Sequence, residues 1–321
     1  AGGRSQRPYW RALAALAREP WPGPRPITRC AQDKVRCPHQ QQATNAMTFI
    51  AISAVSTGPV LEITLNRPDV RNAMSLAMVE ELRRALAQAE VSVGSAQPTR
   101  VVVLRGAGGH FCAGGDLKDM AMARMRALES PTGTDLVHDP VAEVNAAFGR
   151  MCAAFADTPL AVVAGLEGTV MGGGFGLACV ADVAIATETA HFRLPETALG
   201  VVPAQIAPFL VERLGYSQAK RLAVTGGRLD AAQALAIGLV HQQVQTTEVD
   251  SAVQAVLADI LACAPGALAA TKALMAKARW NPPADLVDEA AALFSRAVQG
   301  PEGQEGTSAF LQKRKPTWVP A

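Results

Sequence analysis

The sequence predicts a layered α/β fold that ends in a helical region. Three observations predict it: apolar segments of strand length recur along the chain, turns containing glycine or proline follow them, and amphipathic helical patterns come next. After Asp230 only helical patterns remain. The chain has 321 residues, of which 49% are hydrophobic and 18% charged, so it can bury a substantial core and is not disordered as a whole.

The first 46 residues differ from the rest in charge. They carry seven Arg and one Lys against Glu19 and Asp33, a net +6, so the formal +2 of the chain leaves −4 for the remainder. Because this segment is also rich in proline, we predict an extension that does not pack, with a targeting peptide as the alternative. Residues 47–245 form the predicted core and residues 246–321 the helical C-terminal region. Nothing in the acidic body indicates a nucleic-acid partner.

The first unit of the core combines a strand, a turn and an amphipathic helix. The strand is Val60–Leu65, the turn is Asn66–Asp69, and the helix begins near Ser75. The apolar side chains that we expect on one face of this helix are Leu76, Val79, Leu82 and Leu86.

Later units repeat this order. Val101–Leu104 is continuously apolar and mostly β-branched, which is typical of a strand buried on both faces, and a helix follows near Asp116. The next units are predicted at Leu160–Ala164 with a helix near Gly172, and at Val183–Ala186 with a helix from about Pro203.

The six cysteines show neither a CxxC pair nor the spacing of metal ligands, and no secretory signal precedes them. We therefore predict reduced thiols, no metal and a cytoplasmic location. No run of about eighteen apolar residues occurs, so we expect no membrane partner.

Two glycine-rich turns, Gly108–Asp116 and Gly168–Gly176, each follow a predicted strand and precede a predicted helix. Glycine leaves main-chain N–H groups unshielded, and a helix N-terminus favours negative charge. Such a turn can bind a phosphate, a dinucleotide or an oxyanion. Neither turn carries the Gly-Lys-Ser/Thr ending of a phosphate loop or the GxGxxG spacing of a dinucleotide site, so a dinucleotide-dependent oxidoreductase is disfavoured.

The blocks Phe111–Leu117, Met171–Gly174 and Leu194–Glu196, with Gly200 and Pro203, resemble the signature blocks of the enoyl-CoA hydratase/isomerase (crotonase) family in their usual order. The resemblance covers roughly residues 47–321. It implies a spiral of ββα units, a helical C-terminal trimerisation region, and self-association as a trimer or dimer of trimers. It also implies an acyl-CoA substrate and no separate cofactor, since coenzyme A enters with the substrate.

The resemblance also implies roles for individual residues. The N–H groups of Ala113 and Gly173 would bind the thioester oxygen in an oxyanion hole, and Glu196 would be the acid/base. A helix-start role is the alternative for Glu196. The positions that the resemblance and the flanking sequence suggest for substrate binding are Phe111, Gly114, Asp116, Leu117, Lys118, Gly172, Gly176, Gln205, Arg71 and Lys313.

One position departs from the family pattern. Hydratases of this family commonly place a first glutamate where this chain has Gly176. The alternatives for the missing group are Glu167 and a nearby set, His138, Asp139 and Glu143, although a turn or surface role is expected for each. A single carboxylate also suffices for an isomerase, and a scaffold that binds acyl-CoA without turnover is the non-enzymatic alternative.

Two segments, Gly173–Ala178 and Gly200–Phe209, resemble bacterial glutaconyl-CoA hydratases, which share this glycine. The resemblance favours hydration of isohexenylglutaconyl-CoA, with methylglutaconyl-CoA as the alternative substrate. Such substrates carry a second carboxylate, for which Arg193 and Lys118 are candidate partners. Lys313–Lys315 could meet the nucleotide phosphates or merely solvate the last helix.

Overall fold

The computed structural model describes residues 49–93, 95, 98–129 and 139–320. These residues belong to one compact unit that begins at Thr48. The predicted N-terminal extension at residues 1–46 and the candidate His138 lie outside the described residues. The division between residues 245 and 246 stays a prediction.

The strands alternate with helices through most of the described chain. The strands are β1 (Ile52–Thr57), β2 (Val60–Leu65), β3 (Val101–Gly106), β4 (Ala161–Leu166), β5 (Thr169–Met171), β6 (Val183–Thr187), β7 (His191–Arg193), β8 (Arg228–Asp230) and β9 (Gln242–Val244). The helices are α1 (Leu76–Val91), α2 (Leu117–Glu129), α3 (Pro140–Asp157), α4 (Gly173–Val180), α5 (Ala207–Thr225), α6 (Ala231–Ala236), α7 (Val249–Ala262), α8 (Pro265–Ala278), α9 (Val287–Gln299) and α10 (Pro301–Leu311).

Two sheets carry these strands. The larger has the order β1-β2-β3-β4-β6-β9, in which only the β1–β2 pair is antiparallel. The smaller has the order β5-β7-β8, with β5 and β7 parallel. The α/β fold with a helical C-terminal region that the sequence predicts is confirmed.

Strand β3 is buried on both faces, as predicted. Val102 and Leu104 face the main core with helix α1, whereas Val101 and Val103 face a second cluster that includes Val253 of α7. This alternation follows from the period of two along a strand, and it requires apolar residues at every position. The strand therefore holds the turn that follows it between two packed layers.

Helix α1 begins as predicted, since the Ser75 side chain accepts a hydrogen bond from the N–H of Met78 at 3.2 Å. Val79, Leu82 and Leu86 are buried. Leu76 is not, because it occupies the first helical position at the rim of a cavity and remains 37% exposed. The prediction that Leu76 shares the buried face is wrong.

Two other expectations are corrected. A strand, β9, follows Asp230, where only helices were expected; its three residues are too few and too polar to give a strand pattern. Helix α5 begins at Ala207 rather than near Pro203, because Ala204–Ile206 form a turn first. Gly215 interrupts α5 with a φ of 70°.

The C-terminal segment is anchored to the core by Arg100. Its guanidinium donates to the carbonyl oxygen of Trp318 at 2.7 Å, and the indole of Trp318 donates to Ala262 at 3.0 Å. Over the stretches that the structure describes, no single helix has the length and apolar character of a membrane span. One pair, Thr246–Ala262 with Pro265–Ala278, reaches them jointly but bends by 98° at its break.

Candidate active site

The two glycine-rich turns lie side by side and are joined by main-chain hydrogen bonds. The N–H of Phe111 donates to Glu167 at 2.8 Å, the N–H of Cys112 donates to Thr169 at 2.9 Å, and the N–H of Met171 donates to the carbonyl oxygen of Cys112 at 2.9 Å. The sequence predicted that the turns converge, and the structure brings them together as neighbouring strand-like segments.

Glycine is required where the turns touch. A β-carbon at Gly174 would lie 2.6 Å from Cβ and 2.8 Å from the carbonyl oxygen of Cys112. Gly114 has a φ of +100° and its β-carbon would lie 3.4 Å from the carbonyl oxygen of Met171. Any side chain at these positions would push the turns apart or strain the backbone.

The hydrogen bonds of the first turn decide which N–H groups are free for a ligand. Ala113 donates to the carbonyl oxygen of Arg71 at 2.9 Å, and Asp116 donates to Met74 at 2.9 Å. Between them, the N–H groups of Gly114 and Gly115 have no partner among the described residues, and of these two residues Gly114 is buried whereas Gly115 is exposed. Because the N–H of Ala113 is already bonded, Gly115 is the better candidate for the oxyanion role that the sequence analysis gave to Ala113.

The second turn offers the N–H of Gly173. This residue is the first of helix α4, and the first N–H groups of a helix have no partner within it. The preceding Gly172 has a φ of 47°, and its N–H donates to Arg193 at 3.2 Å. A β-carbon at Gly172 would lie 3.4 Å from Cα of Gly114, which places the two turns in close contact.

Glu196 lies at the start of a short 3₁₀ helix, Glu196–Leu199. Its neighbours fix this helix, since the N–H of Leu194 donates to Gly227 at 3.1 Å and the Thr197 hydroxyl donates to Ala223 at 2.7 Å. Oε1 of Glu196 lies 3.1 Å from the position of a β-carbon at Gly172. The predicted acid/base therefore borders the glycine turns.

The environment of Glu196 favours its neutral form. Burial raises the pKa of its carboxyl group, and a hydrogen bond from its own N–H opposes that shift without cancelling it. Its Oε2 atom is buried and has no hydrogen-bond partner among the residues with described positions. An unpartnered carboxylate with a raised pKa suits proton transfer near neutral pH.

The ring of Phe148 packs against the first turn of helix α4 and forms, with Ile206, an apolar wall. A β-carbon at Gly176 would lie 3.0 Å from Cζ of Phe148 and 3.3 Å from Cγ1 of Ile206. One at Gly173 would lie 3.2 Å from Cε2 of Phe148 and 3.6 Å from Sδ of Met74. At Gly176, where the family resemblance places a first glutamate, a β-carbon would therefore be in tight contact with the ring of Phe148.

Several predicted substrate-binding residues have structural roles instead. Phe111 is fully buried in the core. The Asp116 carboxylate accepts from the N–H of Lys118 at 2.9 Å, at the start of α2, and pairs with Arg67 at 2.8 Å. Burial opposes ionisation of Asp116, but these two contacts outweigh it and lower its pKa. Phe111 and Asp116 therefore both support the fold of the turn, and their part in substrate binding stays a prediction.

Other predicted residues remain available. Leu117, Lys118 and Lys313 are exposed. Arg71 is exposed with a φ of 50°. Gln205 donates to the side-chain oxygen of Asn145 at 2.9 Å, so it links the segment after Glu196 to helix α3.

Two of the alternative acids, Asp139 and Glu143, lie at the start of helix α3. Asp139 accepts from the N–H groups of Val141 and Ala142 at 2.9 Å and is the N-cap of α3. Glu143 lines a cavity of about 260 Å³ between the start of α1 and helices α2 and α3. In the parts of the chain that the structure covers, no group of three His, Cys, Asp or Glu side chains could hold a metal ion.

This cavity adjoins the glycine turns. Val144 lines it, and Phe148 lies one turn further along α3, against Gly173. Leu76 also lines it, two residues after Met74, whose sulfur borders Gly173. Sequence reasoning missed Gly115, Phe148 and Met74. Only Gly115 carried a signal, because it lies within the resembling block Phe111–Leu117.

Comparisons with known proteins show which family the chain resembles. The family model described as enoyl-CoA hydratase/isomerase matches residues 56–320. The enoyl-CoA hydratase domain-containing protein 2, mitochondrial, of Mus musculus is 34% identical over 286 residues, which cover 86% of this chain and 90% of that protein.

Two solved structures are similar over most of the chain. An enoyl-CoA hydratase/isomerase from Marinobacter aquaeolei is 50% identical, with a TM-score of 0.79, over 84% of this chain and 99% of that one. Pseudomonas aeruginosa AtuE is 48% identical, with a TM-score of 0.78, over 84% of this chain and 100% of that one.

Proposed function

The chain belongs to the enoyl-CoA hydratase/isomerase family, and on that premise we propose that it adds water across the 2,3 double bond of a 3-branched glutaconyl-CoA. Its solved relatives confirm the predicted crotonase-like fold and an enzyme of the hydro-lyase type. The observation that carries the proposal is the half-buried carboxylate of Glu196, whose Oε2 atom is buried and unpartnered among the described residues, beside the two glycine turns and with no side chain at Gly176.

In the proposed reaction, the ionised Glu196 removes a proton from water while the water oxygen bonds to C3. The π electrons of the double bond move toward the thioester, and its oxygen takes the charge of the enolate. The N–H groups of Gly115 and Gly173 donate to that oxygen. Removing one such donor costs about 3 kcal/mol of transition-state stabilisation.

The proton then returns from Glu196 to C2, which restores the carboxylate and the thioester carbonyl. One group therefore acts as base and then as acid, and its raised pKa suits both steps. Because a single carboxylate handles both protons, hydroxyl and hydrogen are expected on the same face of the double bond.

The substrate class rests on the resemblance of Gly173–Ala178 and Gly200–Phe209 to glutaconyl-CoA hydratases. The apolar wall of Phe148 and Ile206 supports a branched acyl group at C3. Arg193 is the candidate partner of the second carboxylate, because its Nε atom is buried and unpartnered among the described residues. Isohexenylglutaconyl-CoA is the favoured substrate, and methylglutaconyl-CoA is the alternative.

Isomerase chemistry is the second candidate, and the same lone carboxylate favours it. Glu196 would carry a proton from C2 to C4 of a 3-enoyl thioester, with the enolate bound by the same N–H groups. The two reactions differ in whether water enters the product.

Turnover tests the proposal. Purified protein is assayed with isohexenylglutaconyl-CoA, methylglutaconyl-CoA and a simple 3-enoyl-CoA, and each assay is repeated with Glu196→Gln. Hydration of a glutaconyl thioester that disappears in the variant supports the proposal, and relative kcat/KM ranks the two substrates. Double-bond migration without hydration makes the protein an isomerase, and binding of acyl-CoA without turnover makes it a scaffold.

Three further features stay proposals. Assembly as a trimer or dimer of trimers is supported by exposed apolar side chains on α9 and α10, namely Phe294, Val298, Phe310 and Leu311. Light scattering of the purified protein tests it. The cytoplasmic location and the lack of a cofactor other than substrate-borne coenzyme A rest on the sequence and on the family resemblance.

A further inference from the structure

Helix α4 presents two different faces in its first turn. Gly172, which precedes the helix, borders the carboxylate of Glu196. Gly173 and Gly176, which lie three residues apart and share a face, border the ring of Phe148. The carboxylate and the aromatic ring thus approach the oxyanion turn from different directions.

The packing at Gly176, not its backbone, excludes a side chain. Its N–H donates to Gly172 at 3.0 Å in a regular helical bond, and its φ is not in the left-handed region, so any residue could adopt this conformation. A β-carbon there would lie 3.0 Å from Cζ of Phe148 and 3.3 Å from Cγ1 of Ile206, which is tighter than an ordinary contact. Phe148 and Ile206 therefore crowd any side chain that begins at position 176.

Gln205 packs against helix α3 beside Phe148. Gln205 lies over Gly149, the residue after Phe148, where a β-carbon would be 2.1 Å from its side-chain oxygen. Gln205 also donates to Asn145. This contact ties the segment that contains Ile206 to the turn of α3 that contains Phe148, so the two walls around Gly176 are linked.

We propose that Phe148 is a specificity-determining residue, which excludes a second carboxylate at position 176 and gives the acyl pocket an apolar wall opposite Glu196. The proposal rests on the proposed function and deepens it. An apolar side chain at this place gives a hydrocarbon branch at C3 a surface to pack against. The pair Phe148 and Gly176, and not the glycine alone, sets this preference.

A double-mutant cycle tests the proposal, with Gly176→Glu, Phe148→Ala, the double variant and the wild type. Each protein is characterised by its Tm and by kcat/KM for crotonyl-CoA, which is unbranched, and 3-methylglutaconyl-CoA, which is branched. Phe155→Leu is the control, because Phe155 lies on the same helix α3 but points into the core.

Gly176→Glu alone is expected to lower Tm by roughly 5 °C through overpacking and to gain no crotonyl-CoA hydration. The double variant is expected to recover most of that Tm and to hydrate crotonyl-CoA at least about tenfold faster than the wild type. Phe148→Ala alone should shift the branched-to-unbranched kcat/KM ratio by roughly tenfold toward the unbranched thioester. Phe155→Leu should lower Tm and leave the ratio unchanged.

Two results would overturn the proposal. One is a Gly176→Glu variant with the Tm of the wild type, whose crotonyl-CoA hydration already equals that of the double variant. The other is an unchanged substrate ratio in Phe148→Ala. A wild type that hydrates neither thioester would refute the proposed function instead. The role of Phe148 would still be decided by whether the Tm changes of the two single variants add up to that of the double variant, together with the crotonyl-CoA activity of the double variant.

Discussion

The carbonyl oxygen of Arg71 accepts the N–H of Ala113 at 2.9 Å, and this bond makes the exposed Gly115 a better candidate donor than Ala113 in the first glycine turn. Arg71 and Asn72 both have positive φ values, 50° and 57°. The loop keeps this conformation because the Asn72 side chain is fully buried and bonded. It accepts from the N–H of Arg67 at 2.8 Å and donates to Ala107 at 2.9 Å and His110 at 2.6 Å.

Asn72→Ala is therefore expected to destabilise the protein by about 3 kcal/mol, since it removes a buried amide that serves three main-chain groups. Urea unfolding measures the loss. Asn72→Gly is the matched variant, because it permits the positive φ but also lacks the amide. If Asn72→Gly were as stable as the wild type, backbone strain and not hydrogen bonding would explain the effect.

Gly174→Ala is expected to destabilise the protein by about 2 kcal/mol, because its β-carbon would overlap Cys112 in the neighbouring turn. Gly115→Ala is the control, since the nearest atom to its β-carbon would be Sδ of Met120 at 4.0 Å. Thermal unfolding of both variants tests the contact between the turns. Equal melting temperatures for the two would contradict it.

Glu196→Gln is expected to lower kcat by a factor of about 10³, because the amide can neither accept nor return the proton. Glu167→Gln is the comparison, as Glu167 was the other acid considered near this turn and is expected to be dispensable. Steady-state kinetics on the best glutaconyl thioester distinguishes them. A collapse of activity in Glu167→Gln with normal activity in Glu196→Gln would show that the base is misassigned.

The raised pKa of Glu196 also affects stability. The unfolded chain ionises this group at lower pH than the folded protein, so the unfolded state loses its proton first as pH rises. The contribution of Glu196 to stability therefore falls between its ordinary pKa of 4.5 and its raised value in the folded protein. The stability of Glu196→Gln relative to the wild type should therefore be higher at pH 8 than at pH 4. Melting temperatures at both values test this, and a difference that does not change with pH would contradict it.

Arg71→Ala tests whether this exposed side chain binds the coenzyme A phosphates. Its main-chain carbonyl, which holds Ala113, remains in the variant. If the guanidinium meets a phosphate, KM is expected to rise about tenfold with kcat unchanged. Arg83→Ala, which removes an exposed cation from helix α1, serves for comparison. A lower kcat with unchanged KM would mean that the substitution disturbs the loop and not the substrate contact.

Local patterns were sufficient for much of this fold. Strand β3 and its glycine turn were predictable, because a continuous apolar run and a run of glycines each define their own structure. Strand β9 was not, since three residues with two glutamines form a strand only by pairing with β6.

The candidate site was likewise predictable only in part from the sequence. Glu196 and Gly173 came from contiguous motifs, whereas the choice between Ala113 and Gly115 depends on a hydrogen bond to Arg71, which is distant in sequence. The position of Phe148 depends on how α3 packs against α4. Neither relationship leaves a pattern in the chain.

The main-chain bonds between the two glycine turns have a consequence for how this enzyme can change over evolution. Phe111, Cys112 and Met171 join the two turns through main-chain groups that every amino acid except proline possesses, and so hold the spacing of the proposed oxyanion donors. Side chains around the donors, such as Phe148, Ile206 and Gln205, can therefore be replaced without moving them. Mutation of these side chains can therefore admit new acyl groups, while the main-chain geometry proposed to stabilise the enolate stays the same.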